Sequence, residues 1–163
     1  MQLTLDYLAN HREAIPQLAR WSYAEWRRYI EQRGRSFDDV VAGYHQRVNT
    51  DALPLGVVAI ADGAVIGMGA LLEADLPLRP ELTPWLASIF VAPEYRGRGV
   101  GSMIVERLAS EATRLELERL YLWTSSAASL YARLGWREIE KVEYCGSSIS
   151  VMLRELGKSA GNR

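Results

Sequence analysis

The chain has 163 residues and a net charge of −1, a length that suffices for one domain with a substantial core. The near-neutral charge gives no reason to expect a nucleic acid or a membrane as partner. The hydrophobic residues are dispersed along the chain, so no continuous apolar stretch approaches the length of a transmembrane helix. The first residues lack the basic and apolar regions of a signal peptide, so we expect no export. The single cysteine, Cys145, cannot form an internal disulfide, and we therefore expect a cytoplasmic protein.

The first half of the chain predicts, in order, a strand, two helices and the two strands of a hairpin: residues 3–7, 15–30, 37–48, 55–61 and 64–72. Alternating apolar and polar residues indicate the first strand, and apolar residues at helical spacing indicate both helices. Pro16 suits an early helical position. Asp62 and Gly63 between two apolar runs are a strong hairpin signal.

The second half predicts a loop, a strand, a long helix, a strand, a short helix and two final strands: residues 73–84, 85–91, 100–115, 120–124, 127–134, 136–144 and 148–153. Three prolines indicate the loop, and Gly135 ends the short helix. The alternation of elements predicts one α/β domain over residues 1–156, and residues 157–163 are expected to form a loose polar tail.

Glycine occupies alternate positions where the predicted fourth strand turns into the long helix. Gly97, Gly99 and Gly101 let successive backbone N–H groups converge on one point. The start of a helix adds unpaired donors and partial positive charge. Arg96 and Arg98 place cationic side chains beside the same bend. The pattern predicts a site for a pyrophosphate group.

The spacing narrows the class of ligand. A P-loop requires Lys and then Ser or Thr after its second glycine, whereas Gly101 is followed by Ser102 and Met103. A dinucleotide-binding fingerprint would need a third glycine and an acidic residue after the next strand, where Thr124 stands. The pattern that does fit is (Arg/Gln)-x-x-Gly-x-(Gly/Ala), filled by Arg96, Gly99 and Gly101.

With that pattern and a second block, in which Leu130 and Tyr131 precede Gly135 and Trp136, the chain resembles the GNAT superfamily of acyl-CoA-dependent N-acyltransferases. The resemblance covers residues 55–155 well and the first fifty residues only by general layout. It implies an α+β domain with a mixed, mostly antiparallel sheet of about seven strands, splayed between the fourth and fifth strands and covered by helices on both faces.

The resemblance implies transfer of an acetyl group from acetyl-CoA to an amine by direct attack in a ternary complex, without a metal. It implies that Tyr131 is the general acid and that the Val91 N–H is the oxyanion donor, although a structural core tyrosine is the alternative for Tyr131. The backbone groups expected to bind the pantetheine arm belong to Ile89, Phe90 and Val91. Those expected to hold the phosphates belong to Gly97, Arg98, Gly99, Val100, Gly101 and Ser102.

The catalytic base and the acceptor are less defined. Trp85 stands where protein-acetylating members of the family often have Glu, so we list Glu81 as the base and keep Glu73, Asp75 and a water relay open. Family members often have Asn after the fifth strand; here Thr124 or Ser125 would replace it. Aromatic and acidic residues around the expected acceptor site suit a cationic amine. A small amine, an aminoglycoside-like compound and a peptide amine remain open, as do a monomer, a homodimer and a non-catalytic CoA-binding module.

Overall fold

The computed structural model describes residues 2–157, which form one seven-stranded sheet with the strand order β1-β2-β3-β4-β5-β7-β6. The strands are β1 (Leu3–Tyr7), β2 (Leu55–Ala61), β3 (Ala64–Leu72), β4 (Trp85–Val91), β5 (Arg119–Thr124), β6 (Arg137–Tyr144) and β7 (Ser147–Glu155). The helices are α1 (Ile15–Gln32), α2 (Phe37–Gln46), α3 (Val100–Arg114) and α4 (Ala128–Arg133). Most of the predicted polar tail, residues 158–163, lies outside the described residues.

The expected mixed, mostly antiparallel sheet is confirmed. All neighbouring strands are antiparallel except β4 and β5, which are parallel and are paired at a single point, Trp85 opposite Tyr121. Beyond that point the two strands diverge, as the resemblance implied. Within residues 2–157, no helix has the length and apolar character needed to cross a bilayer.

The predicted helices are found with small differences at their ends. Ser36 caps α2, because its side chain accepts from the Asp39 N–H while the Asp39 carboxylate accepts from the Ser36 N–H. The helix ends at Gln46, two residues earlier than predicted, and Val48 instead forms a β-bridge with Leu55. In α1 the backbone of Trp26 is not helical, with φ −116° and ψ 25°, so this helix is kinked where it faces the open part of the sheet.

The sheet is covered on both faces. One face carries α3, whose apolar stripe is fully buried against β2, β3 and β4 and includes Val100, Ile104, Leu108 and Ala112. The other face carries α1 and α2, which pack through Ile15, Leu18 and Tyr44. Because residues 92–99 alone separate β4 from α3, the packing of this helix fixes the glycine bend at the open end of the β4–β5 gap.

A glycine in β3 allows α3 to approach the sheet. A Cβ atom at Gly69 would lie 2.6–2.8 Å from side-chain carbons of Ile89, Ile104 and Leu108. We expect Gly69→Ala to lower the free energy of unfolding by about 1–3 kcal/mol, since all three side chains would have to move. Gly43→Ala is the control, because a Cβ at Gly43 in α2 meets nothing within 4 Å and should raise stability by about 0.5–1 kcal/mol. Urea denaturation measures both, and an unchanged midpoint for Gly69→Ala would contradict this close packing.

Candidate active site

The divergence of β4 and β5 opens a cavity of about 380 Å³. Its walls come from α1, α2, the loop after β3, the middle of β4, the end of β5 and the start of α4. Ligand sites are commonly concave spaces of this kind with a few polar groups among apolar ones. The cavity is therefore the candidate active site, and the residues predicted from the sequence can be located relative to it.

A bulge in β4 lies at the cavity wall. Ser88 has a positive φ of 58°, and the register between β3 and β4 shifts between Met68 and Ala70 at this point. A non-glycine residue in this backbone conformation is strained, and such strain is often stored at functional sites. The Ser88 hydroxyl accepts a hydrogen bond from Arg47 Nη1 at 3.0 Å, which ties the bulge to the segment after α2.

The bulge and the register determine which backbone groups face the gap. The Ala92 N–H donates to the Ile66 carbonyl at 2.8 Å, so Val91 opposite Gly67 occupies a non-hydrogen-bonded position. Both backbone groups of Val91 therefore point away from β3, toward the side where β5 has diverged. The Val91 carbonyl accepts from Arg96 Nε at 2.8 Å, and the Val91 N–H faces the gap with no paired strand beside it in the described residues.

Phe90 has a different place from the one expected. It pairs with Met68, so its backbone groups face β3, and the expectation that they are free to bind a pantetheine arm is corrected. Its ring instead stacks on Trp21, with ring centroids 5.1 Å apart, and lies under the Arg96 guanidinium at 5.2 Å. Ile89, in contrast, has no register partner on β3 and lines the cavity.

The glycine bend has the conformation that the sequence predicted. Gly97 and Gly99 both have positive φ, 76° and 80°, and a Cβ at either position would meet nothing within 4 Å. Gly99 is the N-cap of α3, and no side chain caps the helix. The N–H groups of Val100, Gly101 and Ser102 precede the first helical hydrogen bond, from Met103 to Gly99. These donors therefore face open space at the positive end of a helix.

The two arginines of the bend have different surroundings. Arg96 is held by the Val91 carbonyl and the Phe90 ring, so it supports the bend and the end of β4. The Arg98 guanidinium lies over the Tyr95 ring, 5.6 Å from its centroid. Both side chains keep positive charge beside the bend, which favours an anion there.

Tyr131 lines the same cavity from α4. Its side chain is buried and packs edge-on against Trp136, with ring centroids 6.1 Å apart. Its hydroxyl has no hydrogen-bond partner in the part of the chain that the structure describes. Burial raises the pKa of Tyr131 to about 12, so the phenol is protonated at neutral pH and its proton is available to a ligand.

Thr124 stands where the family often has Asn. Its hydroxyl oxygen accepts from the backbone N–H groups of Ser126 and Ala127, at 3.3 and 3.0 Å. These bonds form a tight turn between β5 and α4. Thr124 therefore sets the start of the helix that carries Tyr131.

The three candidate acids are not equivalent. Glu73 and Glu81 are exposed and do not line the cavity, so the structure places Glu81, the base expected from the sequence, away from the candidate active site. Asp75 does line the cavity, and the residue is half-buried. Burial raises the pKa of Asp75 to about 6, against the opposing effect of the Arg33 and Arg47 guanidinium groups.

The basic residues that line the cavity were not predicted from the sequence, whereas aromatic residues around the acceptor site were. Arg33 and Arg47 come from the ends of α1 and α2, and the aromatic wall includes Trp26, Tyr29 and Trp123. The sequence carried only a weak signal for the arginines, since each simply follows the end of a helix. The buried indole N–H of Trp123 makes no hydrogen bond of good geometry among residues 2–157, but it lies close enough to the Asp75 carboxyl group to lower the pKa of Asp75 slightly. In that same range no group of His, Cys, Asp and Glu side chains is arranged to hold a metal ion.

Comparison with known proteins agrees with the fold. The family model described as "Acetyltransferase (GNAT) family" matches residues 15–136. The structure is similar to an N-acetyltransferase from Staphylococcus aureus Mu50, with a TM-score of 0.74 at 14% identity, covering 96% of this chain and 100% of that one. It is also similar to an aminoglycoside 6′-N-acetyltransferase complexed with coenzyme A, with a TM-score of 0.71 at 13% identity, covering 95% and 97% of the two chains.

Curated relatives match over shorter stretches. Thialysine N-ε-acetyltransferase of Bos taurus is 35% identical over 78 residues, which is 44% of this chain and 46% of the relative. The Sus scrofa protein of the same name is 36% identical over 63 residues, 36% of this chain and 37% of the relative. The matches thus span less than half the length of these relatives. The extent of the family match shows that the chain belongs to the acetyltransferase (GNAT) family.

Proposed function

We propose that the protein transfers an acetyl group from acetyl-CoA to a primary amine by direct attack in a ternary complex. The observation that carries the proposal is the unpaired Val91 N–H, which lies between the glycine bend and a cavity lined by Tyr131 and Asp75. One similar structure is named as a complex with coenzyme A, and the curated relatives are named for acetylation of a side-chain nitrogen. Both names are consistent with this donor and this class of acceptor.

The donor site fits the diphosphate of CoA. The uncapped N–H groups of Val100, Gly101 and Ser102 would bind its oxygens, and the positive φ angles of Gly97 and Gly99 aim the bend at the same point. The pantetheine arm would then follow the free edge of β4 at Ile89 and Val91 in the place that β5 leaves open. The thioester would thereby be positioned beside the Ser88 bulge.

The chemistry follows from the groups at that point. An aliphatic amine is protonated at neutral pH, because its pKa is near 10, and it must lose a proton before it attacks. Asp75 accepts that proton, directly or through a water molecule. The nitrogen bonds to the thioester carbon, the Val91 N–H stabilises the resulting oxyanion, and the carbon–sulfur bond breaks. The Tyr131 hydroxyl gives its proton to the departing thiolate sulfur, and the second proton that the attacking nitrogen must lose passes to the Tyr131 phenolate, directly or through a water molecule.

The test is an assay of CoA thiol release from acetyl-CoA with a panel of amines, followed by mass spectrometry of the acceptors. We expect amine-dependent thiol release and an acetylated product. Binding of acetyl-CoA without turnover for any amine would contradict the proposal and favour a non-catalytic CoA-binding module.

The diphosphate site has a matched pair of glycines for a test. Gly99 and Gly146 have nearly the same φ, 80° and 79°, and a Cβ at either would meet nothing within 4 Å. Each Val substitution should cost about 1–2 kcal/mol of stability through backbone strain. Only Gly99→Val places a side chain where the phosphate would lie, so it should weaken acetyl-CoA binding about tenfold or more. Isothermal titration measures both variants, and equal affinities for the two would contradict the proposed diphosphate site.

A further inference from the structure

Two half-buried arginines that line the cavity are not used by the proposed reaction. Arg47 and Arg33 line the cavity, and neither forms an ion pair with any carboxylate among residues 2–157. Each is nevertheless fixed in place. Arg33 Nε donates to the Tyr144 hydroxyl at 2.7 Å, and Arg33 Nη2 donates to the Asp75 carbonyl at 2.8 Å. Of the acids that line the cavity, Glu25 and Asp39 are exposed and Asp75 is half-buried, so the two half-buried cations outnumber the half-buried carboxylate, and this excess of positive charge favours a negatively charged ligand.

Arg47 has the larger unused donor capacity. Its guanidinium lies over the Tyr44 ring, 4.3 Å from the centroid, and Nη1 donates to the Ser88 hydroxyl. A guanidinium has five N–H donors, so most of those on Arg47 remain for a ligand. The contact with Ser88 places this group directly at the β4 bulge, beside the thioester position. A carboxylate is the anion whose geometry matches a guanidinium fork.

The opposite charge lies in the same cavity. Asp75 faces the cavity together with Arg33 and Arg47, close enough to sense their charges, yet it makes no direct ion pair with either. The cavity thus presents an acidic side chain and basic side chains that form no direct ion pair with one another. A ligand that carries both an ammonium and a carboxylate would pair with both at once.

Resting on the proposed function, we propose that the acceptor is an amino-acid-like zwitterion, whose carboxylate is held by Arg47 while its amine is placed beside Asp75. Arg33 adds a second positive charge near the carboxylate of the acceptor. The aromatic wall of Trp26, Tyr29 and Trp123 leaves room for an apolar or aliphatic side chain. An amine that lacks an anionic group would leave Arg47 unpaired and is therefore a poorer acceptor.

The test compares acceptors that differ only in this charge. L-Lysine and L-phenylalanine are assayed against L-lysinamide and L-phenylalaninamide, with cadaverine as an amine that has no carboxyl carbon. An α-amine next to an amide is less basic than one next to a carboxylate, so a larger fraction of it is neutral and able to attack at neutral pH. Without a contact to the carboxylate, the amides would therefore be the better acceptors. We expect kcat/KM to favour the free amino acids about tenfold or more. Arg47→Gln should lower that preference about tenfold, and Arg47→Lys, which keeps the charge without the fork, should lower it less.

Arg20→Gln is the matched control, since Arg20 is an exposed arginine of α1 that lies outside the cavity; it should leave the preference as it is. Acetyl-CoA affinity of every variant shows that the fold is intact. If Arg47→Gln does not fold, the inference is still tested by the preference of the wild type for amino acids over their amides and by the change of that preference in Arg47→Lys. Equal use of acids and amides, turnover of cadaverine alone, or a full preference in Arg47→Gln would overturn this inference while the acetyltransferase proposal stands. Thiol release with no amine at all would overturn both.

Discussion

Tyr131→Phe should lower kcat for acetyl transfer about a hundredfold, since it removes the only hydroxyl assigned to the departing sulfur. The Tyr131 ring is buried against Trp136, and Phe would preserve that packing. The hydroxyl has no partner in the described part of the chain, so its loss leaves no donor or acceptor unpaired in the protein. The expected change is therefore confined to the reaction, and acetyl-CoA affinity and stability should be nearly unchanged.

Tyr121→Phe is the matched control for this variant. Tyr121 is as buried as Tyr131, at 9% and 7% exposure, but it lies on β5 outside the cavity. Steady-state assays with saturating acetyl-CoA and titration calorimetry separate kcat from donor binding. Equal rates for Tyr131→Phe and Tyr121→Phe would make Tyr131 a structural core tyrosine.

Asp75→Asn should lower kcat/KM about a hundredfold because the base is lost. The pH dependence of kcat/KM in the wild-type protein gives a second test of this role. With a pKa of about 6 for Asp75, the fraction of ionised base, and so kcat/KM, should rise as pH increases through that value and then level off. Glu73→Gln and Glu81→Gln are the controls, since both side chains are exposed outside the cavity. A rate that falls with Glu81→Gln and not with Asp75→Asn would restore Glu81 as the base.

The same substitution should increase stability at alkaline pH. The pKa of Asp75 is raised from 3.8 to about 6 by folding, so between these values the native state holds a proton that the unfolded chain has released. Stability therefore falls as pH rises through this window, and the loss is complete above the folded-state pKa. At pH 8 Asp75→Asn should be more stable than the wild type by on the order of 1–3 kcal/mol. At pH 3 the two should be alike. Thermal unfolding at both pH values measures the difference, and a less stable variant at pH 8 would contradict the raised pKa.

The sequence predicted the elements whose signals are local. Alternation identified the first strand, and two apolar runs joined by Asp62 and Gly63 identified the hairpin of β2 and β3. The glycine bend was predictable as well, because Gly97 and Gly99 are needed for their positive φ angles rather than for space. In each case the physical cause lies within a few residues of the chain.

The parts that could not be predicted depend on register and on distant contacts. Nothing about a serine signals the positive φ of Ser88, yet the bulge there decides which backbone groups of β4 face the cavity. That is why Phe90 was expected at the donor site and is instead paired with β3. The choice of Asp75 over Glu81 likewise depends on a loop that turns one acid inward beside Arg33 and leaves the other exposed.

The most direct test is a titration of the ¹⁵N-labelled protein with acetyl-CoA, followed through its backbone amide resonances. Binding of the diphosphate at the start of α3 and of the pantetheine arm along β4 predicts that the largest shifts occur at Val91 and at residues 97–102. The amide of Phe90, which is paired with Met68, should shift less. Saturating acetyl-CoA that leaves the amides of residues 97–102 and Val91 unmoved would contradict the proposed donor site and the mechanism that depends on it.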